Sequence, residues 1–351
     1  MHYDTLLITE EEQKISERIT PLLQRVLIEC LDAKPGEELL IITDTGWDNK
    51  RIAPILGTGY KIAGEQIGLK TIIVQQKPKN TSEPAEEQVL IALKTLPRKS
   101  IIIAVLSNKL GQIRGLTRSY RTYLKMKHHR YVTTPSLGFL QTEQTTLVAK
   151  ALDVDYPDLR EKHEQVRQQL FNATSITVTT PAGTNFTILQ AGTPISSNGD
   201  YRKPEMGGNL PAGEVYLPVE KSYGTIVIDG SVRTSTNTYI IKVPVTLTIV
   251  DGKVTTITGE TEAQELKNSI KKAQQKTKYP ERILHIGEFG IGLNKNAQIS
   301  GTTILDEKVY GTAHVALGSN YWFGGTNKTI IHLDQVFKNP TITIDGKELE
   351  I

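Results

Sequence analysis

The chain has 351 residues, 38 % of them hydrophobic and 23 % charged, and its 41 basic and 38 acidic side chains leave a formal charge of +3. These proportions fit an ordinary globular chain rather than a disordered or membrane one, and the near balance of charge offers no footprint for nucleic acid or a membrane surface. A lone cysteine, Cys30 in the apolar run VLIECL, excludes an intrachain disulfide and reads as a buried thiol. The acidic, polar start MHYDTLLITEEEQ lacks a signal-peptide pattern, and no apolar run is long enough for a membrane span, so a cytoplasmic protein is expected.

At roughly 100–200 residues per domain the length points to two domains. Apolar residues Ile15, Ile19, Leu22, Leu23, Val26, Leu27 and Leu31 recur at three- and four-residue spacing, which predicts a helix over 10–31 ended by Pro35-Gly36. The runs ELLIITD (38–44), TIIVQQ (71–76) and SIIIAVLS (100–107) are apolar on both faces and alternate with helical segments, the pattern of parallel strands in a βαβ layered domain. Asp44-Thr45-Gly46 reads as a polar turn after the first strand, and Gly57, Gly59 and Gly64 as close helix packing, because no dinucleotide or phosphate-loop motif is present. Residues 109–130 gather basic side chains and tyrosines and read as a solvated helix face. Arg118 or Arg121 is an alternative receiver of an acidic substrate group or a partner subunit. His128 and His129 are adjacent and so do not share a helix face. A helix over 154–173 bridges the halves, with His163, between Lys162 and Glu164, turned to solvent.

After Ala173 the texture changes to alternating β-branched residues punctuated by glycine, proline and Asp251-Gly252, a hairpin signal, with one helix expected from Glu260 to about Lys278. The expected architecture is therefore an α/β domain with a mostly parallel sheet over 1–153, the bridging helix over 154–173, and an α+β catalytic domain dominated by antiparallel sheet over 174–351.

Candidate chemistry concentrates in HIGEFGIGLN, GTAHVALGSNYWFGG and IIHLD, which place His285, Glu288, His314, Tyr321, His332 and Asp334 within about fifty residues rich in glycine. In His332-Leu333-Asp334 the first and third residues share one side of a strand and can face one metal. Glu214, in a Pro- and Gly-rich turn before a strand, completes a set of five with Glu288, His314, His332 and Asp334, the number that two divalent metals and a bridging carboxylate require. On this reading a metal-activated water attacks a carbonyl, Tyr321 donates to the oxyanion, and Glu288 or Glu214 moves the proton to the leaving amine.

At the same residues the chain resembles the M29 metallopeptidases, the aminopeptidase T and aminopeptidase S family. The matching pieces are NLPAGEVYLP, GTIVIDGSV, IGEFGIGLN, HVALG with Tyr321 seven residues after His314, and IHLD, together spanning about 174–345. The resemblance implies a hydrolase: a cocatalytic aminopeptidase acting on peptides, with two zinc, cobalt or manganese ions on Glu214, Glu288, His314, His332 and Asp334, Tyr321 lining the centre, and a homodimer enclosing it. Family sequences usually carry proline after that tyrosine, where this chain has Trp322-Phe323-Gly324-Gly325.

Ring-cleaving dihydroxypyridine dioxygenases look similar to this family. That alternative uses a single Fe(II) held by His285, His332 and Asp334 as a facial triad. The presence of both Glu214 and Glu288 in hydrolase-like contexts favours the aminopeptidase. A third reading is a metal- or peptide-binding protein without catalysis.

Overall fold

The computed structural model describes residues 8–80, 83–117 and 119–351. In chain order α1 (Glu10–Arg25), β1 (Glu38–Asp44), α2 (Ile52–Gln66), β2 (Lys70–Gln76), α3 (Glu87–Thr95), β3 (Ile101–Val105), α4 (Tyr120–Met126), β4 (Arg130–Thr134) and α5 (Thr145–Leu152) alternate helix with strand. Helix α6 (Tyr156–Leu170) leads to β5 (Ile176–Thr179), β6 (Asn185–Ala191), β7 (Ile195–Ser197) and β8 (Gly207–Asn209). The long β9 (Glu214–Ile228) is followed by β10 (Ser231–Arg233), β11 (Thr238–Ile240), β12 (Val245–Val250), β13 (Lys253–Thr258), α7 (Thr261–Gln274), β14 (Ile286–Gly292), α8 (Thr303–Asp306), β15 (Thr312–Gly318), β16 (His332–Lys338), β17 (Thr341–Ile344) and β18 (Lys347–Glu348).

The chain divides into two compact units, one of residues 1–156 with 199–212, the other of 157–198 with 213–351. The first unit is built on a parallel sheet in the order β2-β1-β3-β4-β8. Its central strands are buried on both faces, which explains their unbroken runs of isoleucine, leucine and valine. Helix α1 starts with a capping box between Thr9 and Glu12, and the chain continues past Arg25 as a wider helical turn, Val26–Cys30, that buries Cys30. Helix α2 packs closely because a Cβ on Gly59 would lie 2.7 Å from Leu23, and one on Gly64 2.7 Å from Leu39. The Asp44 turn is structural: its carboxylate accepts from the amides of Gly46 and Ser107 and from the Ser107 hydroxyl.

Among the described residues of the basic stretch 109–130 the one helix is the seven-residue α4, on which Arg121 is exposed; Arg118 lies outside the described residues. His163 departs from expectation. It is fully buried, because Leu159, His163, Val166 and Leu170 form the inward stripe of α6.

The second unit is dominated by a large antiparallel sheet in which β10, β16, β15, β14 and β9 lie side by side. Side chains on one face of these strands, among them Val215, Leu217, Phe289, Ile291, Val315, Leu317, Leu333 and Phe337, form a core with Leu266 and Ile270 of α7. The other face is left for polar residues. No helix among the described residues is long and apolar enough to cross a membrane.

Candidate metal centre

The antiparallel register assembles the site. Glu288 on β14 lies in a row with Ala316 on β15 and Asp334 on β16; His314 stands opposite Gly290, His332 opposite Gly318, and Glu214 opposite Gly292. Because alternate residues share a face, all five acid and imidazole side chains point to the side opposite the apolar core. Glycine and alanine between them leave a hollow that larger residues would fill. A Cβ on Gly290 would sit 2.3 Å from both Cε1 and Nε2 of His314. Gly290→Ala is therefore expected to push the imidazole aside and weaken metal binding by roughly 10–100-fold, read by competition with a chelator.

Two groups of ligand atoms converge, Glu214 with Glu288 and His314, and Glu288 with His332 and Asp334, the atoms of each lying within 4.8 Å of one another. Glu288 is shared, with Oε1 3.2 Å from His314 Nε2 and Oε2 3.5 Å from His332 Nε2. Asp334 Oδ1 lies 3.2 Å from His332 Nε2. His332 Nδ1 lies 2.9 Å from the Ser319 carbonyl oxygen, which fixes the ring and leaves Nε2 for the cluster. Glu214 Oε2 and Asp334 Oδ1 are buried without a well-aligned donor, the nearest groups being the imidazole nitrogens His314 Nε2 at 3.5 Å and His332 Nε2 at 3.2 Å. Such lone pairs, costly to bury unpaired, fit a cation.

The charge that steadies this site was not foreseen from the chain. Lys308 is buried, and its ammonium bonds to both Glu214 and Glu307. Burial works against the charged ammonium, yet the two carboxylates hold its pKa above the ordinary value. Arg233 acts on Asp334 and Glu307 from β10. Four carboxylates, those of Glu214, Glu288, Glu307 and Asp334, thus face two fixed cations.

Without metal the imidazoles make up the deficit. Burial tends to lower the His314 pKa, but the Glu288 hydrogen bond and the charges of Glu214, Glu288 and Asp334 push it up to about 9. Burial opposes protonation of His332 as well, and Asp334 and Glu288 raise it to about 10. For Asp334 burial favours the acid, but His332 outweighs it and holds the carboxyl at about 2. Both histidine values lie above the ordinary 6.5, so their contribution to stability is complete below that pH and lost as pH rises through 9 and 10. The thermal midpoint of the metal-free protein is expected to fall across that window. Metal held through His332 Nε2 requires that imidazole deprotonated, so metal-loaded protein is expected to lack the His332 part of this component. Scanning calorimetry of both forms from pH 6 to 10 checks this.

Other expected site residues lie elsewhere. The His285 ring does not join either group; its Nε2 lies 3.2 Å from where a Cβ on Gly252 would be, and its Nδ1 3.0 Å from the Ile286 carbonyl oxygen. The triad of His285, His332 and Asp334 is thus not assembled, and Glu288 stands where His285 was expected. Tyr321 lies in a short helical turn, Tyr321–Phe323, with Lys328 Nζ 4.9 Å from its ring centroid. Its neighbour Trp322, not Tyr321, touches the cluster, with ring centroid 4.8 Å from that of His332.

The chain is similar in structure to a 2,5-dihydroxypyridine dioxygenase from Pseudomonas putida KT2440, at TM-score 0.71 and 19 % identity over 95 % of each chain. It is also similar to AmpT from Thermus thermophilus, at TM-score 0.63 and 13 % identity over 94 % of this chain and 96 % of that one. At these identities both likenesses show a shared fold, a parallel sheet and a large antiparallel sheet in one chain. No curated protein sequence matches. The family model for NicX, 2,5-dihydroxypyridine 5,6-dioxygenase, matches residues 18–350. That match overturns the aminopeptidase expectation, and with it the assignment to the M29 hydrolases, whose resemblance reflects the common fold. Spanning nearly the whole chain, it places this protein, an enzyme by descent, in the NicX family of 2,5-dihydroxypyridine 5,6-dioxygenases.

Proposed function

We propose that the protein is a ring-cleaving oxygenase of dihydroxylated pyridines that holds one Fe(II) between Glu288, His332 and Asp334. The family match over residues 18–350 carries the reaction class, and the convergence of these three side chains supplies a place for the metal. Ferrous iron, when bound, supplies the one-electron chemistry that lets ground-state dioxygen react with an electron-rich ring.

The chain's own groups do the rest. The bond between Ser319 and His332 aims Nε2 inward. His314 holds Glu288 through Oε1, so that Oε2 turns towards His332 and Asp334. Glu214 Oε2, buried without a well-aligned donor, is available to take a proton from a ring hydroxyl as it binds, and burial raises its pKa towards that task. Lys308 keeps Glu214 in place.

The test is anaerobic loading with Fe(II), elemental analysis, then addition of 2,5-dihydroxypyridine in aerated buffer with an oxygen electrode and an ultraviolet record of the ring. One iron per chain and one dioxygen consumed per ring lost is the expected result. Iron bound in that ratio with no ring lost from any dihydroxypyridine would overturn the proposal.

A further inference from the structure

Among the five clustered side chains solvent reaches one to any extent: the His332 side chain is 22 % exposed, against 7 % for Glu288 and Asp334, 9 % for Glu214 and none for His314. A substrate therefore meets the centre beside His332. The side chains against that imidazole are aromatic. Trp322 meets it in a T-shaped arrangement, with ring centroids 4.8 Å apart and planes at 67°, and Phe323 does so at 6.1 Å. Phe323 in turn meets Trp322 at 5.3 Å and Tyr216 at 5.4 Å. Tyr216 stands next to Gly290 in the sheet, so a row of rings runs from the floor of the hollow to the surface. Trp322 ends that row and is 56 % exposed, a large apolar face left open at the mouth of a metal site.

The loop that carries it is held firmly. The buried Asn320 amide donates to the Val219 carbonyl oxygen and accepts from the Asn327 amide, and the Thr326 amide donates to Glu220. Gly325 has no room for a side chain, because its Cβ would lie 2.1 Å from the Asn320 amide carbon. An aromatic face fixed in advance binds a flat ring without paying the entropy of ordering a loop.

We infer that Trp322 is the stacking wall for the substrate ring, and that the site selects planar, electron-rich heteroaromatic rings by the face of this indole. This rests on the oxygenase reading for the reaction, but the stacking is tested by binding alone. The chain has two tryptophans, Trp47 and Trp322, so Trp47→Phe leaves Trp322 as the sole indole. In that variant, metal-loaded and anaerobic, 2,5-dihydroxypyridine is expected to quench the emission saturably, and its saturated hydroxypiperidinone analogue is expected not to. In the otherwise native chain Trp322→Ala should raise KM roughly tenfold or more with a smaller change in kcat, whereas Trp322→Phe should restore most of the affinity.

Ring oxidation with no quenching and an unchanged KM in Trp322→Ala would overturn the wall and leave the oxygenase intact. Saturable quenching without oxidation would keep the wall and remove the oxygenase. No quenching by any dihydroxypyridine together with no oxidation would remove both.

Discussion

Asp334→Asn is expected to abolish stoichiometric Fe(II) binding and to lower oxygen consumption with 2,5-dihydroxypyridine by at least about 100-fold. That figure is the upper end of what loss of a mere supporting group costs a metal site. The replacement keeps the shape of the side chain and one oxygen. What it removes is the charge that, with Glu288, draws a cation to His332 Nε2, 3.2 Å away. The metal-free variant should remain folded, because His332 can release its proton once its strongest partner is neutral. Anaerobic titration calorimetry with Fe(II) and elemental analysis read the outcome, with circular dichroism as the check on folding. Undiminished iron content in Asp334→Asn would show that the metal sits in the neighbouring group of Glu214, Glu288 and His314.

Lys308→Met should have a comparable effect on stability instead of on metal affinity. The methionine has similar length and no charge, so the buried Glu214 and the half-buried Glu307 lose their common partner. Breaking a buried ion pair by removing one member costs about 3–5 kcal/mol, which for a unit of this size lowers the melting temperature by on the order of 10 °C. Unlike His332, the lysine cannot be excused by a change of protonation. Burial already pushes the Glu307 carboxyl up against the pull of the ammonium, and without that charge it is expected to be protonated at neutral pH. The double variant Lys308→Met with Glu307→Gln should therefore recover part of the loss. A single variant melting within a degree or two of the parent would mean that the ammonium contributes little.

The contrast between these two positions shows what the sequence disclosed. Asp334 was legible because two residues along a strand always return to the same face, and the Gly-rich neighbours of Glu288 and His314 already suggested room for a metal. Lys308 was not legible. In ILDEKVY it stands beside two acidic residues like any surface lysine, and its burial is decided by where the chain approaches the start of β9, ninety-odd positions earlier. His163 carried a signal that the flanking charges hid: counted from Leu159, it falls on the same helical stripe as Val166 and Leu170.

The reaction class was hidden for a different reason. Carboxylates and imidazoles at these positions suit a hydrolytic pair of metals as well as a single oxidisable one, so their identity could not separate the two. His285 was the residue that told the two readings apart, because the dioxygenase triad used it and the two-metal set did not. It precedes β14 and stands an odd number of positions from Glu288, so alternation turns it to the other face, and the imidazole ends near Gly252.

The strand β8 bears on how the protein is made. It supplies the fifth strand of the first unit, pairing with β4 from Tyr131 to Thr133, yet it is encoded after β5, β6 and β7 of the second. While a ribosome is still translating those strands, the nascent first unit carries an open β4 edge, a template for any other extended chain nearby. The interval between Tyr156 and Asn209 is thus a period of exposure during each round of synthesis, and a fragment ended at Tyr156 would retain that exposure for good.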